Sequence, residues 1–283
     1  MRRWIISLFL VLLADLAVYG WLYRHQVATI TRSIRQAVQP PPSVRFAVVG
    51  DNHGVNPVYR QIISDIRAQP YAFLLNLADT SERGETAEFR AVKELEATLP
   101  FPVYHTVGSH DIKTDPTRGS FIQAFGHDRW YAVDVNQVRL IILDNADRKV
   151  GFPAAELDWL ERDLAAHAGR VNLIAYHRPF DLPLAAVLGD DETPASRLTN
   201  ARLIDIIRRF QVSEIFTAHL HTYLPYTLAS VPAVVSGGGG DPAQFVLGGP
   251  TNNYFHYLDV TVSGSTVTIR PVRVTLDSAT PAE

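Results

Sequence analysis

Imidazoles and carboxylates recur along this chain in short clusters. In order they read Gly50-Asp51-Asn52-His53-Gly54, Leu77-Ala78-Asp79, Gly108-Ser109-His110-Asp111, Tyr176-His177-Arg178-Pro179 and Ala218-His219-Leu220-His221. Imidazole nitrogen and carboxylate oxygen together form a donor set for manganese, iron or zinc. The chain has no cysteine, so thiolate sites and disulfides are excluded. The number of donors suggests a pair of ions rather than one. Each cluster alone has a plain structural reading. Asp-x-His can be a strand ending in a turn, Asp79 a helix N-cap, His177 a hydrogen-bonded residue before a proline turn, and His219 with His221 a solvated pair. The argument for chemistry is that all of them recur at successive strand ends.

The strands and helices that must position these residues follow from periodicity. Val44 to Val49 is a mostly apolar run, as expected of a buried strand. Val58, Ile62, Ile63 and Ile66 then recur at helical spacing, Tyr71 to Leu77 reads as a second strand, Phe89, Val92, Leu95 and Leu99 as a helix face, and Val103 to Val107 as a third strand. Such a βαβαβ order predicts parallel strands with helices packed on the sheet, and functional residues at the carboxyl ends of the strands. Trp130 to Val135 and Val138 to Leu143 form a predicted antiparallel pair around an Asn136-Gln137 turn. Leu157, Leu160 and Leu164 mark a helix. Val171 to Tyr176 is a strand ending at His177, Leu203, Ile206, Ile207 and Phe210 a helix face, and Ser213 to Ala218 a strand ending at His219. Ala233 to Val235 leads into the Gly237 to Gly240 run and Asp241, read as a permissive loop near the site because it lacks the Lys-Ser/Thr of a phosphate-binding loop. Tyr254 to Val262 and Thr266 to Val274 close the domain as a hairpin. His105 and His256 are expected to pack in the interior, and His25, His127 and His167 to face solvent.

Asp51-x-His53, then Asp79, then Gly108-Ser109-His110-Asp111, then His177, then Ala218-His219-x-His221 resembles the calcineurin-like metallophosphoesterase family over about residues 44 to 275. The resemblance implies an α/β sandwich of two mixed sheets flanked by helices, and hydrolysis of a phosphate ester by a metal-activated hydroxide. Two divalent ions are implied, Mn, Fe or Zn. Asp51, His53 and His221 would hold one, His177 and His219 the other, with Asp79 bridging. His110 would protonate or stabilise the leaving group, and Asp111 would fix its tautomer. Arg178 could reach a phosphate oxygen. Ser109 stands where the family has an asparagine that ligates the second metal, so the second site is the less complete one. Ala78 and Ala218 stand where the family has glycine, a change that adds one methyl each.

Length and composition permit one large α/β domain: 283 residues, 47% of them hydrophobic. The net charge of −3 and the lack of a basic stripe disfavour nucleic acid as partner. Trp4 to Tyr23 is a nearly unbroken apolar run between Arg2-Arg3 and Arg24, interrupted by Asp15. Its length matches a membrane-crossing helix, and no small-x-small cleavage site follows it. The expected organisation is a single-pass signal anchor over 1–23, a juxtamembrane stalk ending in Pro40-Pro41-Pro42 over 24–43, a catalytic domain over 44–275 on the extracytoplasmic side, and a loose tail over 276–283. The substrate is left open among a phosphomonoester, a phosphodiester and a lipid-linked (pyro)phosphate. The alternatives are a non-catalytic metal-binding sensor, for which Ser109 is the motive, and a nuclease.

Overall fold

The computed structural model describes residues 19–21, 23–28, 43–182, 192–241 and 254–276. The chain divides into two units, Met1–Pro41 and Pro42–Glu283. In the first, residues 19–21 and 23–28 are helical, with Tyr19, Trp21 and Tyr23 exposed. Among the described residues no helix is long and apolar enough to cross a membrane. The expected anchor over 1–23, the stalk and all but the first residue of the tail lie largely outside those residues.

The second unit runs β1 (Ser43–Val49), α1 (Pro57–Arg67), β2 (Leu74–Asn76), α2 (Thr86–Glu96), β3 (Val103–His105), α3 (Gly119–Phe125), β4 (Tyr131–Val135), β5 (Val138–Ile142), α4 (Ala154–Ala166), β6 (Val171–Ala175), α5 (Pro194–Arg209), β7 (Glu214–Thr217), β8 (Tyr223–Leu228), β9 (Val231–Ser236), β10 (His256–Ser263) and β11 (Thr266–Arg273). Two mixed sheets result, in the orders β11-β10-β1-β2-β3 and β4-β5-β6-β7-β9-β8. The predicted parallel β1, β2 and β3 lie side by side, and the β4–β5 pair is antiparallel.

Alternation along the strands explains the layering. Val44, Phe46 and Val48 face Leu140, Ile142, Leu173, Ala175 and Phe216 of the other sheet in one apolar core. Ala47 and Val49, on the opposite face of β1, pack with Ile62, Ile63 and Ile66 of α1. Ile141 and Ile174 likewise meet Leu157, Leu160, Leu203 and Ile206 of α4 and α5. Two of the helices start on recognisable caps. Asn56 caps α1 by accepting from the Tyr59 amide, with Pro57 at the first position, and Thr193 and Ser196 form a capping box on α5.

The sandwich thus turns the carboxyl ends of its parallel strands to one edge. Asp51 follows β1, Asp79 follows β2, Ser109 and His110 follow β3, His177 follows β6, and His219 and His221 follow β7. Two elements went unread in the sequence. α3 has only seven residues, too few for a helical period to show. β8 contains Pro225, a strand breaker except at a sheet edge, and β8 is an edge strand.

Candidate metal centre

The loops that carry these side chains are tied to one another. The amides of Asp51, His53 and Gly54 donate to the carbonyls of Ala78, Asp79 and Thr80 at 3.0, 2.8 and 2.8 Å, so the turns after β1 and β2 extend the parallel pairing beyond the sheet. Across the sandwich, His177 Nδ1 lies 3.1 Å from the Leu77 carbonyl. The backbone is strained where the donors sit. Asp51, His53, Asp79, His219 and His221 all have positive φ, between 42° and 72°. Left-handed backbone at non-glycine residues clusters at functional sites, where the surrounding structure enforces it. Ala78 belongs to this set with φ 76°. Its substitution for glycine is therefore more than an added methyl, because a left-handed alanine costs roughly 1–2 kcal/mol.

The side chains converge in three overlapping groups: Asp51 with His53 and His221, His53 with Asp79 and His110, and Asp79 with His177 and His219. In each group the donor atoms lie within 4.8 Å of one another. Asp79 joins them. Its Oδ2 is 3.7 Å from His53 Nε2 and 3.2 Å from His177 Nε2, the position of a bridging carboxylate. Asp51, Asp79 and His177 are fully buried, yet both oxygens of Asp51 and the Nε2 atoms of His53 and His177 have no hydrogen-bond partner. Buried polar atoms left unpaired are rare. Here they are lone-pair donors aimed at one another, which is what bound cations require. The residues present fit a pair of divalent ions.

The electrostatics carry the same signature. Burial pushes the Asp51 carboxyl well up, and the neighbouring Asp79 charge adds to it. Burial works against the Asp79 carboxylate too, but His177 and His110 outweigh it and hold the group well below the usual range. On His177, Asp79 and Asp51 outweigh burial and push the imidazole up to about 9. The buried carboxylates thus favour the protonated imidazole, and a divalent ion held by His177 would have to compete with that proton. His219 is held well below the ordinary imidazole value by burial and by His177.

The catalytic candidates are placed differently from expectation in one respect. Asp111 does not touch the His110 ring. It is buried, and its carboxylate accepts from the Ser81 amide (2.9 Å), the Ser81 hydroxyl (2.8 Å), the Gly108 amide (3.0 Å) and the Thr80 amide (3.3 Å). Asp111 therefore staples the loop after β2 to the loop after β3. The groups that meet His110 are Glu82, whose carbonyl is 3.0 Å from Nδ1, and Lys113, whose Nζ is 2.7 Å from the same atom. His110 is itself tied in by its amide, which donates to Asp79 Oδ1 at 2.7 Å. Ser109 turns its hydroxyl towards Asp79 Oδ2 at 3.4 Å, within the cluster. Arg178 is half-buried, and Asn145 grips its backbone at both N–H and C=O. Its charge opposes the rise at His177 and adds to the fall at His219.

Sequence reasoning missed Glu82, Lys113 and the side chain of Asp241. Glu82 Oε2 lies 2.7 Å from His53 Nδ1, and Asp241 Oδ2 lies 3.0 Å from His221 Nδ1. The Gly237 to Asp241 run does pass the site, as read from the sequence: the Gly239 amide donates to the Gly50 carbonyl and the Asp241 amide to the Asp51 carbonyl. His105 and His256 are interior residues, on Glu96 and on Ser236 with the Tyr254 carbonyl respectively. His127 is half-buried rather than fully exposed to solvent. Its ring packs on Tyr131 at 4.3 Å, and burial pushes it down to about 4. His167 is half-buried over the end of α4, with Nδ1 2.7 Å from the Asp163 carbonyl.

The profile of the calcineurin-like phosphoesterase family matches residues 44–223, well over half of the chain. The chain belongs to that family. Its enzyme class is accordingly that of a phosphoric ester hydrolase, in a family that uses divalent metals. It is 27% identical over 232 residues to a probable cyclic nucleotide phosphodiesterase of Rhodococcus erythropolis, covering 72% of this chain and 73% of the relative. In fold it is similar to a purple acid phosphatase from yellow lupin (Lupinus luteus) seeds, with a TM-score of 0.64 and 17% identity. That match takes in 82% of this chain and only 52% of the lupin protein, so the chain spans about half of that relative. A dimetal phosphatase from Danio rerio aligns with a TM-score of 0.60 and 14% identity, over 84% of this chain and all of its own.

Proposed function

We propose that this metallophosphoesterase hydrolyses a phosphodiester with two divalent ions, held by Asp51, His53 and His221 on one side and by His177 and His219 on the other, with Asp79 between them. The observation that carries the proposal is the set of buried donor atoms without partners, Asp51 Oδ1 and Oδ2, His53 Nε2 and His177 Nε2, gathered around one carboxylate. Ions held by these residues would supply a nucleophile at neutral pH by lowering the pKa of water, and would stabilise charge on the phosphoryl oxygens. The chain's own residues do the rest. Lys113 can donate both to the Glu82 carbonyl (3.2 Å) and to His110 Nδ1, which satisfies all three groups and leaves the His110 proton on Nε2. Burial lowers the imidazole, and Lys113 and His53 lower it further, against the pull of Asp79. His110 thus offers a neutral N–H to the leaving oxygen and passes it a proton as the ester bond breaks. Arg178, anchored by Asn145, is the candidate to hold a phosphate oxygen.

The phosphodiester class is favoured by the Rhodococcus relative, described as a probable cyclic nucleotide phosphodiesterase. We place the domain next to a membrane, outside the cytoplasm. The apolar run from Trp4 to Tyr23 between arginines supports this, as do the exposed Tyr19, Trp21 and Tyr23, residue types that favour the headgroup region. Assay of the full-length chain with bis(4-nitrophenyl) phosphate, 4-nitrophenyl phosphate and cyclic AMP, with and without Mn2+, tests the function. The expected result is Mn2+-dependent turnover of the diesters that falls about 10²–10⁴-fold in His110→Ala. A second reading, a metal-binding protein without turnover, is favoured by Ser109, a weaker neutral donor than an amide oxygen. Metal uptake with no turnover of any of the three esters would select it.

A further inference from the structure

The glycine run after β9 has a purpose that its closeness to the site does not by itself explain. It ends in a carboxylate, and the run folds so as to lay that carboxylate across His221. The Asp241 amide donates to the Asp51 carbonyl at 3.2 Å, which pins the backbone beside the cluster. Its Oδ2 then lies 3.0 Å from His221 Nδ1 and 3.9 Å from His53 Nε2. Gly240 makes this path with φ 147°, a backbone essentially closed to other residues, and a β-carbon there would lie 2.2 Å from the Asn56 side chain. The chain therefore takes the one route that brings Asp241 back over His221.

We infer that Asp241 is a positioning residue for the ion that Asp51, His53 and His221 would hold: it accepts the Nδ1 proton of His221 and so fixes the tautomer and orientation of that ring beside the cluster. The inference rests on the metal-dependent function proposed for the same cluster. The neighbouring imidazole is treated in the same way. His53 Nδ1 meets the Glu82 carboxylate at 2.7 Å, while its Nε2 is buried and unpartnered. Both imidazoles of this site thus have a carboxylate behind them. His177, of the second site, has its Nδ1 3.1 Å from the Leu77 carbonyl, with the Asp51 carboxylate farther off at 3.9 Å. A carboxylate behind a ligating imidazole fixes its tautomer and orientation and raises its basicity, and losing such a partner typically costs 10–100-fold in metal affinity. The Asp51 site carries two backing carboxylates, and the other has Ser109 in place of an amide ligand.

The test is chelator competition for Zn2+ on the full-length chain, wild type against Asp241→Ala and Asp241→Asn, together with 15N spectra of the histidine rings. Wild type is expected to bind two equivalents, with the His221 proton on Nδ1. Asp241→Ala is expected to weaken the tighter equivalent about 10–100-fold, to leave the other unchanged and to lose the Nδ1–H signature. Asparagine keeps an oxygen acceptor, so Asp241→Asn is expected to restore the signature and most of the affinity. Two equivalents bound by Asp241→Ala as tightly as by wild type would overturn the inference alone. A wild-type chain that binds no Zn2+ would overturn the metal-dependent function and this inference with it. A purely structural role for Asp241 would show as equal losses in Asp241→Ala and Asp241→Asn, with the His221 signature intact in both.

Discussion

A single methyl group placed at Gly237 should act as a wedge on the metal cluster. Its φ is not in the left-handed range, so alanine there carries no backbone strain of its own. The effect is purely steric. A β-carbon would lie 2.2 Å from Asp51 Oδ2, 2.7 Å from the His221 amide nitrogen and 2.8 Å from the His221 α-carbon. Real β-carbons essentially never come closer than 3.0 Å, so the Asp51 carboxylate must retreat by about 0.8 Å, or the His221 turn must give way. Metal–ligand distances hold to within about ±0.2 Å, so the displacement is several times what the site can absorb. Misplacement by about 1 Å is enough to lower turnover on the order of 10²-fold. Overpacking should also lower stability by about 1–3 kcal/mol, which a control must separate from the metal effect. Gly126→Ala is that control: it strains a left-handed position (φ 76°) at the end of α3, where no atom lies within 4 Å of the added carbon. Zn2+ affinity, diester turnover and thermal midpoint of the three proteins decide the matter. Both variants should melt earlier, and only Gly237→Ala should lose metal and activity. A Gly237→Ala protein with wild-type affinity and turnover would refute the placement of Asp51 as a ligand.

Three further outcomes follow from named contacts. Asp111→Ala strands the buried amides of Ser81, Gly108 and Thr80; at about 1–3 kcal/mol per unpaired group it should lower unfolding free energy in urea by at least about 2 kcal/mol, whereas a loss confined to kcat would restore Asp111 as the residue that orients His110. Ser109→Asn should tighten the weaker of two Zn2+ equivalents and leave the tighter one alone; no change in either would show that Ser109 does not line the second site. Asp259, bonded by Arg45 and Arg270, has its carboxyl lowered to about 2, first by the Arg45 hydrogen bonds and then by Arg270, against burial. A depressed carboxyl contributes stability that is fully present above the unfolded value of about 4 and lost as pH falls towards 2. Asp259→Asn should therefore lower the thermal midpoint at pH 7 and narrow its gap to wild type by pH 2–3, and a gap constant with pH would contradict the ion pair.

The donors were legible in the sequence because each sits where a strand pattern stops. Val44 to Val49 runs into Asp51, and Ser213 to Ala218 runs into His219. Apolar runs and helical spacings likewise gave away the parallel β1, β2 and β3. What stayed hidden is what depends on loop conformation. The left-handed backbone at Asp51, His53, Asp79, His219 and His221 leaves no mark on residue type, and Ala78 at φ 76° reads as an ordinary small residue. Glu82 and Lys113 reach His53 and His110 only because the loops after β2 and β3 are tied together by Asp111. Adjacency in sequence suggested that Asp111 serves His110, but neighbouring residues in a turn point apart, and the buried amides claimed the carboxylate first.

The central claim, that the buried donors hold two ions that turnover requires, is tested most directly by metal content. The full-length chain, purified in the presence of Mn2+ and freed of excess metal, should carry about two ions per chain. Stripping them with chelator should abolish diester hydrolysis, and Mn2+ should restore it. Turnover that persists in chelator, or a chain that retains no metal, would contradict the account.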